Sequence, residues 1–207
     1  MPTEPTVFVV DDDPGLCDSL GWLIESDGLK VETYASAQDF LDAYEPDRPG
    51  VLMLDVRMPG MSGLDLQEHL IDKGYGIPII MLTGHADVPM AVRAVRAGAV
   101  EFLQKPMNDQ ILLDRIRKAI RLDAQIRRKV IRKGEILARM ALLTPREQEV
   151  MDLVVAGKAN KQIAYELHVS EKTVEVHRKR LMRKMQVGSA VELVRVVLSV
   201  RNPWQTS

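Results

Sequence analysis

The sequence predicts a doubly wound α/β domain with a five-stranded parallel sheet, followed by a helical linker and a small all-α domain. Short apolar runs alternate with helix-like segments five times within about the first 120 residues. Residues 1–121 hold 11 Lys and Arg against 20 Asp and Glu, whereas residues 122–207 hold 17 against 9. A chain of 207 residues can form two small cores, and this reversal of charge predicts two domains with different partners.

The strand signals in the first domain are VFVV from Val7, LKVETY, VLMLD, IPIIMLTG and EFLQKP. Helical spacing of apolar residues predicts helices over 14–27, 37–44, 64–71 and 88–97, and a fifth helix that opens near Asn108. Five βα units of this length predict a parallel sheet with helices on both faces, in the flavodoxin-like strand order 2-1-3-4-5. We therefore expect residues 1–121 to form this domain.

The second half of the chain has a purely helical pattern. The apolar period that begins at Ile111 continues into a basic helical linker at residues 122–140, with Gly134 as its expected interruption. Residues 141–207 then predict four short helices, the first of which opens with the capping box LTPRE around Thr144. The tight turn HVS separates helices 160–167 and 171–185, a spacing typical of a helix-turn-helix, and the last helix covers 189–200.

Several classes of protein are excluded or disfavoured. The single cysteine, Cys17, rules out a disulfide within the chain, and its place in an amphipathic pattern favours a core position. The N-terminus has no basic and apolar regions of a signal peptide, and no apolar run approaches membrane-spanning length. We expect a cytoplasmic protein with no membrane partner.

Three consecutive carboxylates, Asp11, Asp12 and Asp13, follow the first apolar strand. A solvated acidic loop would explain them without any ligand. If strands 1 and 3 are adjacent, however, Asp11 and Asp12 meet Asp55 at the carboxyl ends of the strands, where their mutual repulsion requires a cation such as Mg²⁺. Asp13 directly precedes Pro14 and is typical of a helix cap.

The segments VVDDDP, LMLDVRMPGMSG, MLTGH and EFLQKP, in this order, resemble the receiver domain of bacterial two-component response regulators over about the first 120 residues. This resemblance implies that Asp55 accepts phosphate from a sensor histidine kinase. It also implies a Mg²⁺ site and a conformational switch. The residues implied are Asp11, Asp12, Asp55 and the backbone carbonyl of Arg57 for the metal, Lys105 for the phosphoryl group, Thr83 and Phe102 for the switch, a cis bond before Pro106, and Arg57 and His85 at the entrance of the site.

A helical wheel of residues 171–185 divides two faces. Val174, His177, Leu181 and Met185 share one face, and the other carries Glu175, Val176, Lys179, Arg180 and Arg183. A solvated charged face would explain the cations but not Val176 among them. A surface that enters the major groove of DNA explains both, because cations meet phosphates and guanine edges while an apolar group meets a thymine methyl.

Residues 140–203 resemble the LuxR-type four-helix DNA-binding domain of FixJ/NarL-type regulators, on the segment from LTPRE to LMRKM. The resemblance implies that helix 171–185 is the recognition helix, with Glu175, Val176 and Lys179 facing the bases. The full set of expected DNA contacts is Lys161, Lys172, Thr173, Glu175, Val176, Lys179, Arg180 and Arg183.

The two resemblances together imply a transcription regulator that is phosphorylated at Asp55, dimerises, binds promoter DNA and activates RNA polymerase. Its only catalysis would be its own phosphorylation and dephosphorylation. Three alternatives stay open: a phosphohydrolase with an aspartate nucleophile, a DNA-binding scaffold that is never phosphorylated, and an RNA-binding output domain. The first is disfavoured because such enzymes carry a D-x-D motif followed by Thr or Val, which VVDDDPG lacks. The third is disfavoured by the helix-turn-helix and by the few aromatic residues of the tail.

Overall fold

The computed structural model describes residues 4–84 and 88–201, which form five strands and nine helices. The strands are β1 (Thr6–Val10), β2 (Lys30–Tyr34), β3 (Gly50–Asp55), β4 (Ile79–Thr83) and β5 (Glu101–Gln104). The helices are α1 (Pro14–Ser26), α2 (Ala37–Ala43), α3 (Gly63–Asp72), α4 (Val88–Arg96), α5 (Asp109–Ala141), α6 (Pro145–Val155), α7 (Asn160–Glu166), α8 (Glu171–Met185) and α9 (Ala190–Arg201). No helix in these ranges is both long and apolar enough to span a bilayer.

The five strands form one parallel sheet in the order β2-β1-β3-β4-β5, which confirms the predicted fold class and strand order. Alternate residues of each strand enter two separate cores. Phe8 and Leu54 pack with α2, α3 and α4 on one face of the sheet, while Val9 and Met53 pack with α1 and α5 on the other. Because both faces are covered, β1, β3 and β4 are buried along their whole length.

The chain divides into two compact units, Met1–Arg127 and Arg128–Ser207, and the division falls within α5. The first unit thus includes residues 122–127, which the sequence pattern predicts as linker. Asp123 is buried and accepts hydrogen bonds from the backbone N–H of Gly50 and from Arg127 Nε. Arg127 in turn donates to the carbonyl oxygens of Pro46 and Arg48, so this part of α5 is fastened to the first unit.

The predicted interruption at Gly134 is wrong, because α5 continues through this residue. A glycine inside a helix costs only about 1 kcal/mol relative to alanine, which flanking residues of good helix propensity can offset. Within the second unit, Ile136 on the same helix is buried in an apolar core with residues from α6, α7, α8 and α9.

Local signals set the helix ends of the second unit. The Thr144 hydroxyl accepts from the N–H of Glu147, and the Glu147 carboxylate accepts from the N–H of Thr144, which confirms the capping box. Between α7 and α8, His168 adopts a left-handed φ of 52°, and Ser170 caps α8 through the N–H of Thr173. These contacts form the tight turn that the sequence predicts between two helices of a helix-turn-helix.

Candidate functional site

The charged residues of the first unit meet at the carboxyl edge of the sheet, where the parallel strands end. Strand register places Val10 beside Leu54 and Asp55 beside Leu82, so Asp11 and Asp55 follow neighbouring strands at the same edge. Lys105 follows β5, and its N–H donates to the carbonyl oxygen of Thr83 at 2.7 Å. The order of the strands therefore brings together residues that are far apart in the sequence.

Lys105 joins the two buried carboxylates. Its Nζ lies 2.5 Å from Asp11 Oδ2 and 2.5 Å from Asp55 Oδ1. The remaining oxygens accept from backbone N–H groups: Asp11 Oδ1 from Asp13 at 3.1 Å, and Asp55 Oδ2 from Arg57 at 2.6 Å. Each carboxylate oxygen of this pair thus has a donor, which is the condition for burying such groups without a large cost.

At this edge of the sheet, the pKa of Asp11 and the pKa of Lys105 are both raised, for different reasons. Burial raises the pKa of Asp11, although the hydrogen bonds from Lys105 and from the Asp13 N–H lower it in part. For Lys105, burial acts to lower the pKa, but the hydrogen bonds to Asp11 and Asp55 together outweigh it and the pKa is raised. Asp11 is 1 % exposed and Asp55 5 % exposed, so a further positive charge at this edge would stabilise the ionised form of Asp11.

Gly63 fixes the loop that follows Asp55. Its N–H donates to the carbonyl oxygen of Val56, and a Cβ at this position would lie 2.0 Å from the backbone oxygen of Asp55. Only glycine allows α3 to begin so close to the end of β3. Sequence reasoning missed this residue. The signal that could have found it is a glycine at a helix start, eight residues after Asp55.

The predicted metal ligands are not all gathered in one cluster. Asp11 and Asp55 each touch the same Nζ, so their nearest oxygens are at most twice 2.5 Å apart. Asp12 is exposed and makes none of the hydrogen bonds at this edge, and no group of three or more His, Cys, Asp or Glu side chains in the described ranges is placed to hold a metal. The donors present are hard oxygen ligands of the kind Mg²⁺ binds, and the metal site remains a prediction.

The other predicted residues of this unit lie in suitable elements. Thr83 is the last residue of β4 and is 1 % exposed, and Phe102 lies in β5 and is partly buried against the core beneath α4. Asp13 caps α1 by accepting from the N–H groups of Gly15 and Leu16, as predicted. The Lys105–Pro106 peptide bond is cis, as the resemblance implied. His85 lies outside the described residues.

Helix α8 divides into the two faces that the helical wheel predicts. Val174, Leu181 and Met185 are fully buried in the second core, and His177 is half-buried. Val176 is 44 % exposed. The exposed charged residues of this helix include Lys172, Glu175, Lys179, Arg180 and Arg183.

The exposed cations that are predicted to contact DNA, on α7 and α8, have no carboxylate partner among the described residues. None of Lys161, Lys172, Lys179, Arg180 and Arg183 forms an ion pair with a carboxylate among the described residues. Lys161 and Lys172 occupy the second positions of α7 and α8, near N-terminal N–H groups that favour anions. The Thr173 hydroxyl is paired with Ser170, which leaves its role at a DNA surface less direct than predicted.

Polar contacts hold α8 in place from its inward side. Lys184 Nζ binds Glu147 at 2.6 Å and the carbonyl oxygen of Leu142 at 3.0 Å, which ties α8 to the start of α6. Burial acts to raise the pKa of Glu147, but the hydrogen bonds from Lys184 and Thr144 outweigh it and the pKa is lowered. Arg178 donates to Asn160 Oδ1 at 2.9 Å, which ties α8 to the start of α7. These contacts therefore fix the orientation of α8 and of its outward face within the second unit.

Comparison with known proteins identifies both units. Residues 7–117 match the model of the response regulator receiver domain, and residues 141–197 match that of the bacterial regulatory proteins of the luxR family. The chain is a two-component response regulator. It carries a receiver domain followed by a LuxR-type DNA-binding domain, and it belongs to the transcription regulators built in this way.

Relatives of this response regulator match it along nearly its whole length. The response regulator protein TodT of Pseudomonas putida is 47 % identical over 190 residues, which cover 92 % of this chain and 84 % of TodT. The transcriptional regulatory protein FixJ of Rhizobium meliloti is 44 % identical over 198 residues, covering 95 % and 97 %. Among solved structures, the response regulator StyR matches with a TM-score of 0.85 at 47 % identity, over 94 % of this chain and 98 % of StyR. Full-length FixJ from B. japonicum matches at 41 % identity with a TM-score of 0.59, over 96 % and 98 %.

Proposed function

We propose that Asp55 of this response regulator accepts a phosphoryl group from the phosphohistidine of a sensor kinase, and that the modification increases binding to promoter DNA. The observation that carries this proposal is the placement of Asp55. Its carboxylate lies at the end of β3, held between the Lys105 ammonium and the backbone N–H of Arg57.

The transfer forms a bond from an Asp55 carboxylate oxygen to phosphorus and breaks the bond from phosphorus to the imidazole nitrogen of the kinase. The imidazole keeps the electron pair of that bond and takes up a proton. The work of this chain is to position the nucleophile and to neutralise charge, which are the main contributions to phosphoryl transfer. Lys105 supplies positive charge beside the attacking oxygen, and the Arg57 N–H orients the carboxylate.

Asp11, Asp12, Asp55 and the backbone carbonyl of Arg57 would hold Mg²⁺. When bound, this ion would neutralise phosphoryl oxygens and the carboxylates together. The chemistry of the donors supports the assignment, because they are all oxygens and because burial leaves the pKa of Asp11 raised despite the contact with Lys105. We propose no enzymatic activity beyond the phosphorylation and dephosphorylation of Asp55.

The conformational change would begin at Thr83 and Phe102. An aspartyl phosphate adds about one to two negative charges at the carboxyl edge of the sheet. We propose that the Thr83 hydroxyl moves toward the phosphoryl oxygens and that Phe102, partly buried beneath α4, takes up the space released. Because the interior is packed, such a movement has two discrete arrangements. Dimerisation of two phosphorylated chains would follow.

The DNA-binding unit would place α8 in the major groove. Glu175, Val176 and Lys179 would contact base edges. The other predicted residues would contact phosphates, namely Lys161, Lys172, Thr173, Arg180 and Arg183. We infer that the dimer works in the cytoplasm and activates transcription by contact with RNA polymerase.

Phosphorylation can be tested by the intact mass of the full-length protein after incubation with Mg²⁺ and a small phosphodonor such as acetyl phosphate. Wild type should gain one phosphoryl group, whereas Asp55→Asn should gain none. Asp39→Asn, which changes an exposed carboxylate on α2, is the matched control and should behave as wild type. Equal labelling of Asp55→Asn would refute the acceptor, and turnover of a small phosphate ester by wild type that is lost in Asp55→Asn would favour a phosphohydrolase instead.

A further inference from the structure

Helix α3 carries a buried carboxamide whose hydrogen bonding is incomplete. Gln67 is fully buried between α3 and α4. Its Nε2 donates to the carbonyl oxygens of Ala94 at 3.0 Å and Ala97 at 3.1 Å, but its Oε1 is buried with no hydrogen-bond partner among the described residues. A buried polar atom without a partner is uncommon, because it loses hydration and gains nothing in return.

The two acceptors lie at the C-terminal end of α4. A helix leaves its last carbonyl groups without intrahelical partners. Here the chain supplies the N–H of Ala99 to the carbonyl of Ala94, and Gln67 supplies two further donors from another helix. The nine-residue helix α4 is thus held at its end by a side chain of α3, in addition to the exposed ion pair between Glu68 and Arg93 at 2.7 Å.

Helix α3 is fixed relative to the phosphoacceptor. Gly63 begins α3 with its N–H on the carbonyl of Val56, and its Cα lies so close to the backbone of Asp55 that no side chain fits there. Ser62 caps the same helix through the N–H of Asp65. A displacement of α4 away from α3 would therefore break the hydrogen bonds from Gln67.

We propose that Gln67 is a positioning residue that retains α4 in the unphosphorylated arrangement and so sets how strongly phosphorylation changes DNA binding. This proposal rests on the proposed function. An apolar residue here would remove the unpaired oxygen but would leave the carbonyl groups of Ala94 and Ala97 without the donors from Gln67. The glutamine therefore serves the end of α4, although its own oxygen stays unpaired. Two hydrogen bonds from Gln67 to carbonyl groups at the end of α4, beside one unpaired oxygen on Gln67, make a contact that is specific but weak, which suits an element with two positions.

The test compares full-length wild type with Gln67→Met, which preserves volume and removes the hydrogen bonds, and with Glu68→Gln as a matched control on the neighbouring exposed contact. Amide hydrogen exchange is measured at Ala97, Gly98 and Ala99. We expect Gln67→Met to speed exchange there by about tenfold, with only a small loss of thermal stability, because the loss of even one hydrogen bond opens a helix end several-fold more often. Glu68→Gln should stay within about twofold of wild type.

The second readout is operator affinity with and without phosphodonor, alongside the intact mass. Gln67→Met should take up a phosphoryl group as wild type does, yet bind the operator more tightly before phosphorylation, so that the gain on phosphorylation shrinks by about fivefold or more. Unchanged exchange, or faster exchange with an unchanged gain, would overturn the role of Gln67. Gln67→Leu gives the same comparison if the methionine variant does not fold. Failure of wild type to take up phosphate would refute the proposed function, while the exchange measurement would still decide whether Gln67 retains α4.

Discussion

The two functional regions of this response regulator differ in whether their charged side chains are paired within the protein. At the carboxyl edge of the sheet, Asp11 and Asp55 are buried and share one ammonium group, so their charge is compensated from within the protein. On α8, Lys179 and Arg183 are exposed and have no carboxylate partner among the described residues. The first arrangement suits a small group added by covalent chemistry, and the second suits a polyanion that must displace water and counterions.

The largest expected effect comes from removing the ammonium group that balances the charges of Asp11 and Asp55. Lys105→Met leaves two buried carboxylates without their shared cation, and we expect a loss of about 3–5 kcal/mol in the free energy of unfolding of the receiver. The double variant Asp11→Asn with Lys105→Met should recover much of this loss, because one of the two charges is gone. Urea dependence of amide exchange in β1 and β3 measures both. Equal stability of the single and double variants would show that Lys105 does not compensate the pair.

A second test concerns the space around Asp55. Gly63→Ala places a Cβ 2.0 Å from the Asp55 carbonyl oxygen, so we expect a loss of about 1–3 kcal/mol in the free energy of unfolding and slower phosphorylation. Gly21→Ala is the matched control, because this position in α1 has no atom within 4 Å of an added Cβ. The control should gain about 0.5–1 kcal/mol from helix propensity. Thermal unfolding and the rate of phosphoryl uptake check both, and a silent Gly63→Ala would remove the steric role.

These residues also mark the limit of prediction from sequence. The five βα units, the caps Asp13 and Thr144, and the buried and exposed faces of α8 all follow from local spacing, so sequence patterns predict them. The order of the strands comes instead from the likeness to the flavodoxin-like fold. Gly63 and Gln67 act through contacts with Asp55 and α4 that depend on how loops and helices pack. The place of Lys105 between Asp11 and Asp55 follows the strand order, but its distance to each carboxylate needs the structure. The helix through Gly134 shows that a single glycine does not end a helix of otherwise favourable residues.

In the DNA-binding unit, Lys179 of α8 and Lys161 of α7 separate base reading from phosphate contact. Lys179→Ala should weaken binding to a selected operator by about 1–3 kcal/mol relative to random DNA at fixed salt. Lys161→Ala should weaken both DNAs alike and reduce the salt dependence of binding by about one counterion. Fluorescence anisotropy with both DNAs across a salt series measures the two effects. An unchanged specificity ratio for Lys179→Ala would place this side chain on the phosphates.

The smallest expected effect lies at the ion pair between Glu32 and Arg48. Its side chains are more exposed than the carboxylates of the sheet edge and less exposed than the cations of α8. The hydrogen bond from Arg48, joined by those from Lys30 and Tyr34, lowers the pKa of Glu32 from 4.5 to about 2 despite some burial. Because the folded pKa is depressed, the stabilisation is present above pH 4.5 and lost as pH falls toward 2.

Glu32→Gln should therefore cost about 1 kcal/mol at neutral pH, a value reduced by solvent screening, and the difference from wild type should shrink below pH 4.5. Glu25→Gln, at an exposed position on α1, is the matched control and should be silent across the same range. Thermal unfolding at a series of pH values measures both. A difference that stays constant down to pH 2 would exclude ionisation of Glu32 as its source.

The link between the two regions is tested most directly by operator affinity measured before and after phosphorylation in wild type and in Asp55→Asn. Phosphorylation of wild type should tighten binding by a factor within the usual range of allosteric coupling, about 5- to 150-fold, and the variant should show no change under the same phosphodonor and Mg²⁺. An equal gain in Asp55→Asn, or no gain in wild type whose mass shows the phosphoryl group on Asp55, would contradict control of DNA binding by this carboxylate.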